Sequence, residues 1–403
     1  MPEAVLVAAA RTPIGRAFKG SLASERPDDL TAMVVRRVLE EVPEVDPHMV
    51  EDLLVGCGQP AGEGGFNLAR VVAVLARLDD VPGVTVNRYC SSSLQTIRMA
   101  AHAIRAGEGD IFVAAGVETI SRFGSGMSDI DAAANTRFDA ARDRSAQRAL
   151  PGAEAWTPPT ELPDIYIAMG QTAENVAQLE GVSRAEMDEF ALRSHELAVA
   201  HQRSGFFARE IVAVTRADGA VIDADDGPRA DTSLDRLSSL APVFRVDGTV
   251  TAGNACPLND GAAALVIMSD VRARELGLRP RARIVSSGLS GLNPEIMGLG
   301  PIEASRQALA RAHLTMDDID LVEINEAFAA QVLPCAKHLG VALSKLNVRG
   351  GAIALGHPFG MTGARIMTTL LNSLEESGAR YGLETMCVGG GQGMAMIVER
   401  LDA

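Results

Sequence analysis

The chain is short of several things, and each shortage narrows what it can be. Aromatic residues make up only 4% of its 403 positions, so Ala, Val, Leu, Ile and Met must fill the core. Lysine occurs only at Lys19, Lys337 and Lys345, and arginine supplies nearly all the positive charge. No apolar run approaches the ~20 residues that a membrane-crossing helix needs. The segment after Met1 lacks the basic stretch of a signal peptide and reads as a first strand. These absences predict a cytoplasmic protein with no membrane partner. There is no Cys-x-x-Cys pair and no His-Glu-x-x-His, which argues against a zinc site. The cysteines, Cys57, Cys90, Cys256, Cys335 and Cys387, are odd in number and far apart, which fits reduced thiols rather than disulfides. Net positive charge is missing too. At −15 the chain is a poor partner for nucleic acid, and any anionic ligand must be held by local positive groups.

What is present fits a soluble globular enzyme. Hydrophobic residues are 47% and charged residues 22%, and the length allows two to three domains. Two stretches run through similar elements in similar order. The first gives a strand at 4–10, a helix at 28–42, strands at 52–57 and 84–87, a helix at 91–106 and a strand at 111–116. The second gives a strand at 282–287, a helix at 302–312, strands at 320–324 and 347–351, a helix at 360–377 and a strand at 384–387. This alternation predicts parallel sheets covered by helices. Both stretches end on glycine before an apolar strand, at Gly261 and at Gly393. The first ending is displaced, because residues from about 121 to 248 intervene and are richer in charge and proline. The pattern therefore reads as two similar α/β halves with a large insertion in the first.

Four constellations carry possible chemistry. Cys90 follows a short strand and precedes a helix, where free N–H groups and the positive end of the dipole favour thiolate. His357 lies in the turn Gly350-Gly351-Ala352-Ile353-Ala354-Leu355-Gly356-His357-Pro358, at a strand end where α/β proteins bind substrates, and suits general acid–base work. Cys387-Val388-Gly389-Gly390-Gly391 places a second thiol before a glycine turn whose N–H groups can hold an anion. It lacks the Lys-Ser/Thr of a phosphate loop. Asn325-Glu326-Ala327-Phe328 puts polar groups at the end of an apolar strand. Strand-end turns of a doubled α/β fold can converge, and a Cys–His pair supports acyl transfer. A second thiol near the histidine can move a proton at a carbon next to a carbonyl.

Together these motifs closely resemble the thiolase family, acetyl-CoA acetyltransferases and 3-ketoacyl-CoA thiolases. They are Val86-Asn87-Arg88-Tyr89-Cys90-Ser91-Ser92, Asn325-Glu326-Ala327-Phe328, Gly356-His357-Pro358 and Cys387-Val388-Gly389-Gly390-Gly391, with Thr249-Val250-Thr251-Ala252-Gly253-Asn254-Ala255 as a fifth. The resemblance covers nearly the whole chain. It implies an α/β thiolase fold: two βαβαβαββ halves in a five-layer αβαβα arrangement with an inserted loop domain. Residues 1–120 plus 249–272 would form the first half and 273–403 the second. The insert, 121–248, would serve coenzyme A binding and oligomer contacts. The resemblance also implies a reaction, thiolysis of a 3-ketoacyl-CoA to acyl-CoA and acetyl-CoA, in a setting such as β-oxidation. His357 would take the proton of Cys90, which carries the acyl group. The N–H groups of Cys90 and Gly389 would hold the oxyanion. Cys387 would protonate the enolate carbon, and His357 with a water held by Asn325 would stabilise the enolate oxygen. Arg229 would lie near the nucleotide end of coenzyme A, with Ala252 and Cys256 also at the ligand. Met169, Met297 and Phe328 would border the acyl portion. Coenzyme A is a substrate in this scheme, no metal or prosthetic group is implied, and a dimer or tetramer is expected.

The chain departs from its relatives in places. Many have glycine where Ser93 stands, and the added hydroxyl is expected to narrow the floor of the site. Acetoacetyl-type members have histidine before the methionine-glycine pair, but here the order is Ala168-Met169-Gly170. That favours a degradative enzyme over a biosynthetic acetoacetyl-CoA thiolase. Cys256 replaces a serine that contacts the pantetheine arm in many members. A ketosynthase-type condensing enzyme would carry two histidines, or His and Asn, and Cys387 argues against it. A non-catalytic acyl-CoA carrier is disfavoured by the joint presence of Cys90, His357, Asn325 and Cys387.

Overall fold

The computed structural model describes residues 2–125 and 133–401; Met1, residues 126–132 of the insert and the last two residues lie outside the described residues. The first half opens with β1 (Ala4–Arg11), rich in Ala and Val and buried along its whole length, as a strand covered on both faces must be. Helix α1 (Pro27–Glu40) starts on a proline, with Asp28 and Asp29 at its positive end. Strand β2 (Asp52–Cys57), helix α2 (Leu68–Leu75), strand β3 (Gly83–Val86), helix α3 (Ser92–Ala106) and strand β4 (Ile111–Thr119) follow. The chain then runs through α4 (Asp139–Arg148), α5 (Met169–Glu180), α6 (Arg184–Arg203) and α7 (Leu234–Ser238) before returning as β5 (Asn259–Ser269).

The second half contains β6 (Ala282–Gly291), α8 (Gly300–Ala312), β7 (Leu321–Ile324), α9 (Ala329–Leu339), α10 (Thr362–Ser377), β8 (Tyr381–Val388) and β9 (Gln392–Arg400). Helix α9 escaped the sequence reading; Pro334 interrupts its pattern from inside. The strand order is β7-β8-β9-β6-β1-β5-β4-β2-β3. Antiparallel pairing of Val5 with Arg283 and Leu6 with Ala282 joins the halves into one continuous sheet. The sheet is mixed, not parallel as the alternation predicted. The last strand of each half, β5 or β9, runs antiparallel between the half's first strand and the strand that precedes it in sequence, β4 or β8. Only the β2 pairs and β7–β8 are parallel.

The halves share this order, with one reduction. The strand expected at 347–351 is a single parallel bridge between Leu346 and Val322. Asn347 explains why. Its side chain accepts from Ile324 N and donates to Ile324 O, both at 2.9 Å, and so replaces a neighbouring strand. One face of the sheet is covered throughout by α3 and α10. The other is covered by α1 and α2 over the first half and by α8 and α9 over the second, giving the αβαβα succession. Helices α3 and α10 cross closely, since a Cβ on Gly363 would lie 2.4 Å from Leu94 N. Among the described residues no helix is long and apolar enough to cross a membrane.

Candidate active site

Strand β3 delivers the chain into a tight turn. Tyr89 has φ 41°, a conformation that costs a non-glycine residue energy and persists only when its surroundings enforce it. They do so here. Tyr89 N donates to Asn87 Oδ1 at 2.8 Å, while Ser92 Oγ accepts from Arg88 N at 2.9 Å and donates to Tyr89 O at 2.7 Å. Cys90 follows in the 3-10 turn Tyr89–Ser91, just ahead of α3. The backbone N–H groups of Gly389 and of Cys90 itself are directed at its sulfur. The expectation of a thiolate needs correction. Part of the residue reaches solvent, yet desolvation outweighs both N–H groups and pushes the thiol up to about 11. Cys90 therefore rests as a neutral thiol and must lose its proton to a base during attack.

His357 is buried, and its environment fixes its tautomer. Its Nδ1 lies 2.6 Å from Thr362 Oγ1, whose single hydroxyl proton goes to Pro358 O at 2.7 Å. Nδ1 must therefore carry the ring hydrogen, which leaves the lone pair on Nε2. Asn325 Nδ2 approaches that lone pair at 3.3 Å, and His357 N donates to Asn259 Oδ1 at 3.0 Å. Burial, with Arg365 adding to it, pushes His357 down to about 3, so the imidazole is neutral and ready to accept.

Cys387 ends β8, and the turn that follows has left-handed glycines at Gly390 and Gly391. This turn returns the Gly389 N–H to Cys90. Cys387 is fully buried and its thiol is pushed up, by burial first and then by Cys90, Cys335 and Cys256. Burial and Cys90 raise Cys256 likewise. Four thiols, Cys90, Cys256, Cys335 and Cys387, thus share one neighbourhood. Cys256 N donates to Ala327 O at 3.0 Å, which ties it to the loop after β7. In that loop Asn325 N donates to Thr385 O at 3.0 Å, while Asn325 Oδ1 is buried without a hydrogen-bond partner among the described residues.

Met169, Met297 and Phe328 meet in one apolar cluster, where Phe244 stands edge-on to Phe328 at 6.2 Å. Arg229 and Ala252 line a groove of about 360 Å³ together with Arg16, His195 and Arg236. Arg229 N donates to His195 Nδ1 at 3.2 Å, and burial pushes His195 down to about 4, so that side chain adds no charge there. Cys256 is not among the groove residues; it sits with the other thiols. Ser93 does not narrow the floor. It is fully buried and its Oγ accepts from Ala364 N at 2.8 Å, in the first turn of α10. The sequence reading missed Thr362, Asn259 and Glu118. Thr362 alone left a signal, a hydroxyl residue soon after the histidine at a helix start.

Fold and site together are those of an acyltransferase. Residues 4–271 match the family model "Thiolase, N-terminal domain" and residues 278–400 match "Thiolase, C-terminal domain". The chain is 44% identical to a beta-ketoadipyl-CoA thiolase of Acinetobacter baylyi and 44% identical to a 3-ketoacyl-CoA thiolase of Aeromonas salmonicida, over 100% of each chain. The crystal structure of the Bacillus anthracis acetyl-CoA acetyltransferase superposes with a TM-score of 0.86 at 39% identity, covering 100% of this chain and 99% of that one. The chain belongs to the thiolase family. Thiolases use coenzyme A as a substrate, not as a prosthetic group.

Proposed function

We propose that the enzyme cleaves a 3-ketoacyl-CoA with coenzyme A, giving acyl-CoA and acetyl-CoA through an acyl-Cys90 thioester. The observation that carries this is the convergence of the Gly389 and Cys90 N–H groups on the Cys90 sulfur, together with a histidine whose lone pair is fixed on Nε2, where Asn325 Nδ2 approaches it at 3.3 Å. His357 takes the Cys90 proton as sulfur attacks the 3-keto carbon. The two N–H groups then stabilise the oxyanion, in a water-poor site where such bonds are worth most. The carbon–carbon bond breaks, and Cys387 delivers its proton to the enolate carbon. The unpartnered Asn325 Oδ1 is suited to hold a water that, with His357, donates to the enolate oxygen. Coenzyme A then attacks the thioester carbonyl as its thiol proton passes to the Cys387 thiolate, and Cys90 leaves and recovers its proton from His357, which restores the resting enzyme. Residues 1–120 with 249–272, and 273–403, act as the two halves; residues 121–248 carry oligomer contacts and most of the coenzyme A groove, which Arg16 and Ala252 of the first half help to line.

Arg229 and Arg16 supply the local positive charge that phosphates need in a chain of net charge −15, whereas Arg236 is paired with Asp231 of the same groove. A homo-oligomer is supported by β3, an edge strand with exposed Val84, and by the exposed Phe66 shortly before α2. A cytoplasmic enzyme of β-oxidation or a related degradative route is the setting we favour. Relatives named for a dicarboxylic and for a general 3-ketoacyl substrate are equally similar, so substrate range must be measured. The test is thiolysis of 3-ketoacyl-CoAs, linear, branched, dicarboxylic and polycyclic, followed by loss of enolate absorbance. Cleavage of at least one longer than acetoacetyl-CoA is expected. Activity on acetoacetyl-CoA alone would favour the biosynthetic reading, and activity on none would refute the proposal.

A further inference from the structure

Glu118 stands near the end of β4 and is almost entirely enclosed. Its Oε2 accepts from Gly58 N at 2.8 Å and from Gly360 N at 2.9 Å. Its Oε1 accepts from Gln59 N at 3.2 Å and from Cys57 Sγ at 3.7 Å. Gly58 and Gln59 follow β2 in the first half, whereas Gly360 lies three residues beyond His357 in the second. The two glycines allow the approach. A Cβ on Gly58 would lie 2.7 Å from Glu118 Oε2, and one on Gly360 would lie 2.2 Å from Val117 O. Three backbone N–H groups aimed at one point cannot satisfy each other, and a carboxylate is the side chain that can accept all three. The same carboxylate is close enough to Cys90 for its charge to act on that thiol. A second bond crosses the same seam, from Ala364 N in the first turn of α10 to Ser93 Oγ in the first turn of α3.

We propose that Glu118 is a positioning residue for acyl transfer. Its carboxylate clamps the turn after His357 to the strand end behind Cys90, and so sets base against nucleophile. The assignment rests on the roles given above to Cys90 and His357. An apolar residue of similar size would fill the space but leave three buried N–H groups unpaired. Glu118→Gln keeps the size but turns an NH2 toward at least one of those N–H groups. A misplacement of order 1 Å between reacting groups costs ~10²-fold in rate.

The experiment compares wild type, Glu118→Gln and Glu118→Asp in steady-state thiolysis and in single-turnover acylation of Cys90 by acetyl-CoA. In Glu118→Gln, kcat and the acylation rate are expected to fall ~10²-fold. The KM for coenzyme A stays within about twofold, because the Arg229 groove does not include this clamp. Glu118→Asp retains the charge at shorter reach and recovers part of the rate. The proposal is overturned if both variants keep kcat within about threefold of wild type, or if kcat falls only with the fraction of folded protein. Should Glu118→Gln not fold, Glu118→Asp decides by the same limits. Absence of acyl-Cys90 in the wild type would instead overturn the roles of Cys90 and His357.

Discussion

Replacing Thr362 by valine tests how the base is prepared. Thr362 Oγ1 accepts the Nδ1 hydrogen of His357 at 2.6 Å, and valine keeps the shape without the acceptor. The ring then has two options. Its Nδ1–H can stay buried and unpaired, which costs ~1–3 kcal/mol and more once the imidazolium forms. Or the hydrogen can move to Nε2, which blocks the nitrogen that must accept the Cys90 proton. Only the extra cost on forming the imidazolium slows acylation; an added ~1–3 kcal/mol there, at 1.36 kcal/mol per factor of ten, amounts to about 5- to 150-fold. The assay is single-turnover acylation by acetyl-CoA, read by quenched-flow mass spectrometry. Thr362→Ser keeps the hydroxyl and should stay within a few-fold of wild type. Wild-type acylation in Thr362→Val, or an equal defect in Thr362→Ser, would refute the tautomer argument.

Three further outcomes follow from the same geometry. With Cys90 pushed up to about 11, its alkylation by iodoacetamide in the free enzyme should rise close to tenfold per pH unit from pH 7.5 to 9.5, above the titration of Glu118 at about 7. A plateau there would mean a resting thiolate. His357, pushed down to about 3, stays neutral, so an acid limb of the kcat/KM profile near pH 7 belongs to the Glu118 carboxylate and should vanish in Glu118→Gln; a limb that survives there would point to the histidine. Arg229→Ala should raise the KM for coenzyme A roughly tenfold with kcat unchanged, as loss of one charged contact predicts. An unchanged KM would remove Arg229 from the ligand groove.

The sequence exposed those parts of the site that announce themselves locally. Cys90, Asn325 and Cys387 each stand where a strand gives way to a turn, and His357 stands in a glycine-rich segment just before a helix, patterns visible within ten residues. Thr362 and Asn259 act by hydrogen bonds that only the folded chain creates, and Glu118 reaches Gly360 across 242 positions. No local pattern encodes such a pair. The ionisation of Cys90 was misread for a related reason. A helix start is visible in sequence, but the desolvation that overrides it depends on what packs around the thiol. In the fold, the two halves and the insertion were legible from repeated element order. The mixed sheet was not, since strand direction depends on which neighbours β5 and β9 choose. The missing strand at 347–351 turned on one side chain, Asn347, taking a strand's place.

The central claim is that one of four neighbouring thiols, Cys90, carries the acyl group. The direct measurement is to mix the enzyme with acetyl-CoA, quench in acid within milliseconds, digest, and locate the acetyl group by mass spectrometry. The account predicts a single acetyl thioester on Cys90, lost when coenzyme A is added before the quench and absent in Cys90→Ser. Acetyl on Cys256 or Cys387 with Cys90 free, or turnover persisting in Cys90→Ser, would contradict it.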